Sequence, residues 1–272
     1  MRRVPASAKL NLALVVGPRR ADGKHEVTTV LQRLDLGDRV SLTPRDGLRV
    51  EGFGGDTLVH DALGRLAREA GVEPRWHVRI EKRIPIAAGL GGGSSDAAAA
   101  LRLANETLTQ PLPPDRLSEV AAGVGSDVPF FLAPGAQLGE DDGTALAPLE
   151  LPQDFWVVLL VPAGTAKAST ATVYNEFDRR DGARGYEERR AQLLAELAAA
   201  RRPRDLARLP PNDLASSPAA EELRAAGAFR ADVTGAGPAV YGLFHHRRDA
   251  DRARRQLRHL GRTWLTVPAW YG

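Results

Sequence analysis

The sequence contains no cysteine, one methionine and only four lysines, and none of its apolar segments is long. Without cysteine the chain cannot form disulfides, zinc–thiolate sites or a thiol nucleophile. No apolar run approaches the roughly 18 residues that a transmembrane helix needs. The basic start of the chain also lacks the apolar segment of a secretory signal peptide. These absences predict a cytoplasmic protein without a membrane anchor.

Arginine supplies nearly all of the positive charge, and the net charge is +3 with a sequence pI near 9.5. Arginine clusters at residues 201–204 and 247–255 leave a nucleic-acid-binding protein open as an alternative. Acidic residues are interspersed with most of these arginines, and no aromatic residues alternate with basic ones along a strand. The pattern therefore favours solvated helix faces and predicts no nucleic-acid partner.

The most informative stretch, residues 85–100, reads PIAAGLGGGSSDAAAA. Its alanine-rich second half predicts a helix, which we expect Ser94, Ser95 or Asp96 to cap. Its three consecutive glycines predict an irregular loop. The N–H groups of such a loop and the dipole of the helix that follows would together form an anion site.

Two common phosphate-binding patterns do not fit this stretch. A P-loop needs a lysine before the hydroxyl residue, and no lysine lies between Lys82 and Lys167. The dinucleotide pattern G-x-G-x-x-G fails whether it is started at Gly89 or at Gly91. A glycine-rich turn is the simplest alternative, but a turn rarely needs four glycines and two serines before a long helix.

Strand and helix patterns alternate along the chain and predict an α/β or α+β fold. Alternation from Ala8 to Val16 predicts a strand with Lys9 and Asn11 on one face. The segments 39–43 and 48–51 flank Asp46-Gly47 and predict a hairpin. A change of composition near residues 148–152 predicts two domains, 1–150 and 151–272.

Four segments in chain order resemble the GHMP kinase superfamily, which includes galactokinase, homoserine kinase and mevalonate kinase. They are PASAKLNL at residues 5–12, the glycine stretch, GSDVPFF at 125–131 and TGAGPAV at 234–240. The resemblance implies an N-terminal, ribosomal-S5-domain-2-like nucleotide-binding domain and a C-terminal ferredoxin-like domain, with the active site in the cleft between them. It also implies ATP and Mg²⁺.

Phosphoryl transfer to an alcohol depends mostly on positioning and charge stabilisation. The resemblance implies that Asp127 is the base and that Lys9 is the cation beside it. A turn residue and a surface lysine are the simpler interpretations of these two positions. The expected ATP-binding residues are Pro85, Ile86, Ala87, Ala88, Gly89, Leu90, Gly91, Gly92, Gly93, Ser94 and Ser95. No carboxylate cluster in the sequence marks the Mg²⁺ ligands.

The triple glycine most resembles the branch of the superfamily whose acceptor alcohol, a methylerythritol, carries a cytidine diphosphate group. The residues that would bind this small-molecule substrate are Asn11, Lys24, His25, Thr170, Tyr174, Gly235 and Gly237. The branch usually has an aromatic residue where this chain has Lys24, whose aliphatic stem we expect to cover one face of the cytosine ring. A kinase for another alcohol, such as homoserine, mevalonate or a sugar, is the alternative. We expect a monomer or a weak homodimer.

Overall fold

The computed structural model describes residues 2–53, 57–165 and 169–269. The strands of the first half are β1 (Arg2–Arg19), β2 (His25–Pro44), β3 (Leu48–Glu51), β4 (Trp76–Glu81), β5 (Ala136–Glu140) and β6 (Ala145–Leu149). Its helices are α1 (Thr57–Ala70), α2 (Gly92–Asn105) and α3 (Pro114–Ala122). The second half contains β7 (Trp156–Pro162), α4 (Thr170–Arg179), α5 (Tyr186–Ala199), α6 (Pro218–Ala225), β8 (Arg230–Val233), β9 (Val240–Phe244), α7 (Arg247–Gln256) and β10 (Gly261–Thr266).

The first sheet has the strand order β3-β4-β2-β5-β6, and β1 pairs antiparallel with β2. The predicted hairpin of segments 39–43 and 48–51 is wrong, because β4 lies between β2 and β3. Strand β3 pairs in parallel with β4, and Leu48 lies opposite Trp76. The chain reaches β4 through α1, as a parallel pair requires a crossover. The Asp46-Gly47 turn reverses the chain, but it does not determine which strand pairs with β3.

The second sheet has the order β10-β7-β9-β8, and all of its pairs are antiparallel. The mixed α/β class with two sheets is therefore confirmed. One apolar cluster contains Leu10 and Leu12 of β1 together with Phe155 and Tyr241 of the second half. The two halves thus bury apolar surface against each other, and a domain boundary near residue 150 stays a prediction.

Helix α2 begins differently from the prediction. Its N-cap is Gly91, with φ 71° and ψ 16°, and no side chain caps it. The expected cap by Ser94, Ser95 or Asp96 is wrong, since all three residues lie within the helix. The irregular-loop prediction is also wrong for Gly92 and Gly93, which form its first turn. A positive φ at the N-cap suits glycine, and this geometry takes the place of a side-chain cap.

In the parts of the chain that the structure describes, no helix combines the length and apolarity needed to cross a bilayer.

Candidate active site

A cavity of about 440 Å³ is lined by residues from both halves of the chain. It contains most of the residues that the sequence singled out. Those that line it are Lys9, Asn11, Pro85, Ile86, Ala87, Ala88, Gly89, Leu90, Gly91, Gly92, Gly93, Ser94, Asp127, Thr170, Tyr174, Gly235 and Gly237. Ser95, Lys24 and His25 are not part of the lining.

Strand β1 presents Lys9 and Asn11 to the cavity between two irregularities in its pairing with β2. The register shifts between Ser7 and Lys9 and again between Asn11 and Ala13. Such bulges re-aim side chains and are common beside active sites. They leave Lys9 and Asn11 on the same side, as the alternation predicted.

Lys9 and Asp127 form an ion pair inside the cavity. The Lys9 Nζ lies 3.3 Å from Asp127 Oδ2 and donates a hydrogen bond of 2.7 Å to Asn11 Oδ1. The Lys9 side chain is 6% exposed, whereas that of Asp127 is 39% exposed. The lysine is therefore held in place while the carboxylate remains accessible to a ligand.

Asn11 connects this pair to the second half of the chain. Its Nδ2 donates to Thr29 Oγ1 at 2.8 Å, which leaves Oδ1 to accept from Lys9. Its backbone N–H donates to Thr234 Oγ1 at 3.0 Å. The orientation of the Lys9 ammonium thus depends on Thr234, just before the second glycine loop at residues 235–237. Thr29 and Thr234 were missed because a buried threonine carries no signal in the sequence.

The two glycine loops touch each other. Gly89 has φ 82°, and a Cβ built there would lie 2.8 Å from the Gly237 carbonyl oxygen and 3.0 Å from that of Thr234. The Ala239 N–H also donates to the Ala88 carbonyl at 3.1 Å. Only glycine combines this backbone conformation with so close an approach. Gly89 therefore sets the spacing of the two loops.

Asn212 fixes the second glycine loop through hydrogen bonds with the backbone. Its Nδ2 donates to the carbonyls of Gly235 at 2.7 Å and Val233 at 3.0 Å. Its Oδ1 accepts from the Leu214 N–H at 2.8 Å. Gly235 itself has φ 57° and lies against Asn11, whose Oδ1 would be 3.2 Å from a Cβ there.

Lys82 also lines the cavity, although we did not predict it as a site residue. Its Nζ lies 2.5 Å from Asp38 Oδ2 and 2.7 Å from Asp96 Oδ2, and both carboxylates are fully buried. Burial acts to lower the pKa of Lys82, but the two carboxylates outweigh it and raise the pKa above its usual value. The scarcity of lysine was the signal that could have identified Lys82.

Tyr174, which also lines the cavity, stacks on His25. Their ring centroids are 4.7 Å apart with an interplanar angle of 27°. Behind them, His25 Nε2 lies 2.7 Å from Asp178 Oδ1, and this hydrogen bond lowers the pKa of Asp178. Burial, with the negative charge of Asp127, raises the pKa of the Tyr174 hydroxyl to about 12. His25 therefore supports Tyr174 from outside the cavity lining.

Lys24 lies at the rim and points to the turn between β5 and β6. Its Nζ is 2.5 Å from Asp142 Oδ2, and its side chain is 59% exposed. Asp142 lines the cavity. Burial acts to raise the pKa of Asp142, but hydrogen bonds from Lys24 and Thr144 lower it. The cavity lining therefore includes the Asp142 carboxylate, which was not predicted from the sequence.

Among the described residues, no group of three or more histidine, aspartate or glutamate side chains is arranged to hold a metal ion.

Comparisons with known proteins agree with this geometry. Family models described as "GHMP kinases N terminal domain" and "GHMP kinases C terminal" match residues 57–135 and 187–263. A protein of Anaeromyxobacter sp. named 4-diphosphocytidyl-2-C-methyl-D-erythritol kinase is 40% identical over 93% of this chain and 85% of its own length. A protein of Geobacter sulfurreducens with the same name is 34% identical over 96% of both chains.

Solved structures of related proteins have the same fold. A crystal structure of 4-(cytidine 5'-diphospho)-2C-methyl-D-erythritol kinase matches with a TM-score of 0.79 and 30% identity, over 98% of this chain and 99% of that one. A mevalonate kinase matches with a TM-score of 0.75 at 14% identity, over 98% and 99% of the two chains, and so shows the fold alone. The chain belongs to the GHMP kinase family, in the branch formed by the 4-diphosphocytidyl-2-C-methyl-D-erythritol kinases.

Proposed function

We propose that this protein transfers the γ-phosphoryl group of ATP to the 2-hydroxyl of 4-diphosphocytidyl-2-C-methyl-D-erythritol. The observation that carries the proposal is the Lys9–Asp127 pair, which lines the same cavity as the glycine loop. Relatives that are 34–40% identical over most of the chain carry the name of this kinase.

The glycine loop and the start of α2 bind the triphosphate. The free N–H groups of the first turn, Gly92 to Ser94, border the cavity, and the helix dipole favours an anion there. A side chain at Gly91, Gly92 or Gly93 would occupy space beside this turn, since a Cβ at each would lie within 3.2 Å of a neighbour. Lys82 lies beside the loop, but Asp38 and Asp96 take up its charge, so the anion site depends on the N–H groups and the helix dipole. The residues present therefore fit a nucleotide.

A Mg²⁺ ion also fits this chemistry, although no protein cage for it exists among the described residues. Mg²⁺ keeps most of its water ligands and binds through one or two carboxylates together with substrate phosphates. Substrate phosphates and water would supply most of its ligands here, and we assign Asp127 to the acceptor hydroxyl rather than to the ion. Ser95, 2% exposed and outside the lining of the main cavity, is a poor candidate ligand. The ion would neutralise charge on the phosphates when it is bound.

The Lys9–Asp127 pair supplies the groups that act on the acceptor. The exposed carboxylate of Asp127 takes the proton of the attacking hydroxyl. The Lys9 ammonium lies beside it, where negative charge develops on the acceptor oxygen and the transferring phosphoryl group. The hydrogen bond to Asn11 Oδ1 holds the Lys9 ammonium beside the Asp127 carboxylate. Most of the rate enhancement then comes from orientation and charge stabilisation.

The part of the cavity around Tyr174 binds the cytidyl group. Tyr174 offers a ring face for the base, and His25 stacks on that ring. Asn11, Thr170, Gly235 and Gly237 line the same cavity and contact the rest of the substrate. Lys24 is 59% exposed and pairs with Asp142, which lines the cavity, so its ammonium is accessible to the substrate's diphosphate.

Three of the five arginines on α7 pair with carboxylates of the same helix. Arg252 pairs with Asp249, and both Arg254 and Arg255 pair with Asp251. Such i,i+3 and i,i+4 pairs belong to solvated helix faces. We therefore assign a small-molecule partner and no nucleic acid, and we expect a monomer or a weak homodimer.

The experiment is a comparison of kcat/KM across acceptor alcohols at saturating ATP. The panel contains 4-diphosphocytidyl-2-C-methyl-D-erythritol, mevalonate, homoserine and galactose, with ADP release as the readout. The proposal requires the cytidyl substrate to exceed each of the others by at least about 100-fold, because a site built to hydrogen-bond a group rejects analogues that lack it. Comparable turnover of mevalonate or homoserine would assign the chain to another alcohol.

A further inference from the structure

A second, much smaller cavity lies between α2, β1 and β2. It is lined by Pro5, Ser7, Arg33, Ser95, Ala99, Arg102 and Phe131. The space that the centre of a water-sized sphere can occupy in it is about 10 Å³. This is room for one water molecule or one ion of similar size.

Arg33 is an unusual residue for such a position. It is 4% exposed, and none of the ion pairs found among the described residues includes it. One of its terminal nitrogens donates to the carbonyls of Phe130, at 3.0 Å, and of Ala133. Its Nε is buried and has no hydrogen-bond partner in the described chain. A buried guanidinium that is both unpaired and incompletely hydrogen-bonded is costly.

A second arginine lies close to the first and makes the cost larger. Arg102, on α2, lines the same cavity, and no ion pair among the described residues includes it either. Burial, together with the charge of Arg102, lowers the pKa of Arg33 to about 10. Arg33 therefore remains charged at neutral pH, and no acidic residue lines the cavity beside the two arginines.

We propose that this cavity binds a monovalent anion of the size of chloride, held by Arg33 and Arg102. The hydroxyls of Ser7 and Ser95 line the same space and can donate to an anion. A chloride ion is larger than a water molecule but far smaller than a phosphate or sulfate ion, which needs several times the available space. The anion would offset one of the two positive charges and supply the acceptor that the Arg33 Nε lacks.

The position of the cavity connects it to the active site. Ser95 follows directly after the helical turn that binds the triphosphate. The Phe131 ring lines the cavity and also limits the space at Gly91, where a Cβ would lie 2.9 Å from it. We therefore expect the anion to stabilise the packing of α2 against β1 and β2. Removal of the anion should then make the nucleotide loop less ordered.

The first test is a crystal of the full chain grown or soaked in sodium bromide. Bromide replaces chloride and scatters anomalously, so its position can be read without a model of the ligand. We expect an anomalous difference peak within hydrogen-bond distance of Arg33 and Arg102. A map without a peak in this cavity, while bromide occupies other sites, would mean that only water fits there and would overturn the proposal.

The second test is the melting temperature in sodium chloride against sodium gluconate at equal ionic strength. If the anion binds with a Kd about one-fifth of its concentration, linkage raises Tm by about 2–4 °C. Arg102→Gln should abolish this difference in Tm, whereas the control Arg248→Gln, which removes an exposed arginine on α7, should retain it.

Arg33→Met should also abolish the difference in Tm. If Arg33→Met does not fold, the result for Arg102→Gln is the test. A chloride effect of equal size in the wild type and Arg102→Gln would overturn the proposal. Neither test uses a nucleotide or an alcohol, so both are independent of the proposed kinase reaction.

Discussion

Lys9 and Asp127 show what a few side chains contribute to this protein. The lysine is buried, but its ammonium is directed at a carboxylate that solvent can reach. Asn11 holds it there at 2.7 Å, and Asn11 is itself held by two threonines. The resemblance of four segments to one family predicted this pair. Its support by Thr29 and Thr234 depends on contacts between distant segments, which no local pattern encodes.

Replacing the proposed base tests the pair directly. Asp127→Asn keeps the shape of the side chain but cannot accept the proton, so kcat should fall by about two to four orders of magnitude. The Kd for ATP, measured by calorimetry, should change little. Lys9→Ala should also lower kcat, and the double variant should lose less than the sum of the two effects, because the residues act as a unit. Turnover of Asp127→Asn close to that of the wild type would remove Asp127 from the chemistry.

Tyr174 provides a separate test of the cytidyl end. Loss of a stacking ring costs roughly 1–3 kcal/mol per base, so Tyr174→Ala should raise the KM of the acceptor by about one or two decades. The KM of ATP should remain near its wild-type value. Tyr174→Phe is the matched control, since it keeps the ring and should keep the affinity. An unchanged acceptor KM in Tyr174→Ala would mean that the base binds elsewhere.

The contact that Lys24 makes could not be predicted from its place in the sequence. Its position in the sequence predicted a stem lying over the cytosine ring. The structure places its ammonium on Asp142, which is 118 positions away in the chain. Nothing near Lys24 in the sequence identifies that partner. Its role in binding the substrate stays a prediction.

At the scale of secondary-structure elements, alternation from Ala8 to Val16 predicted part of β1, and the alanine-rich run after the glycines predicted α2. The elements that were wrong or missed have physical causes. Strand β3 pairs with β4 because the chain passes through α1 and returns beside it, and a turn signal cannot reveal this pairing. The β5–β6 hairpin was missed because its strands are short and contain glycine and proline. Helix α2 starts on Gly91 rather than on a serine, since the close approach of Lys9 and Phe131 leaves space only for glycine.

The contact between the two glycine loops gives a prediction at this scale. Gly89→Ala places a Cβ 2.8 Å from the Gly237 carbonyl, so the loops must separate. Gly47→Ala is the matched control, because Gly47 also has a positive φ, 76°, but lies in open space. Each substitution carries the strain of a left-handed residue, about 1 kcal/mol.

Gly89→Ala should therefore raise the Kd for ATP at least about tenfold, by moving N–H groups out of a site that tolerates little displacement. Gly47→Ala should leave the Kd unchanged while lowering Tm by a few degrees. Calorimetric titration with ATP and thermal unfolding measure the two effects. Equal Kd values in the two variants would show that contact between the loops does not control nucleotide binding.

The whole molecule is needed to form the cavity. The first half supplies Lys9, Asp127 and the nucleotide loop, while the second half supplies Tyr174 and the loop at residues 235–237. A shared apolar cluster fixes the two sheets against each other and so fixes these groups. The resemblance of four segments to one family predicted that they meet. The volume of the cavity could not be predicted, because it depends on packing between the halves. The contacts of Lys82 and Asp142 lie within the first half and join segments that are separated along the chain, which no local pattern reveals.

The position of the transferred phosphate tests the central claim most directly. The full chain is incubated with ATP and 4-diphosphocytidyl-2-C-methyl-D-erythritol, and the product is examined by ³¹P NMR. Our account predicts a new phosphomonoester resonance, coupled to the branched carbon that carries the 2-hydroxyl, and an equal amount of ADP. Formation of ADP without this resonance, or a phosphomonoester that appears only when mevalonate or homoserine is the acceptor, would contradict it.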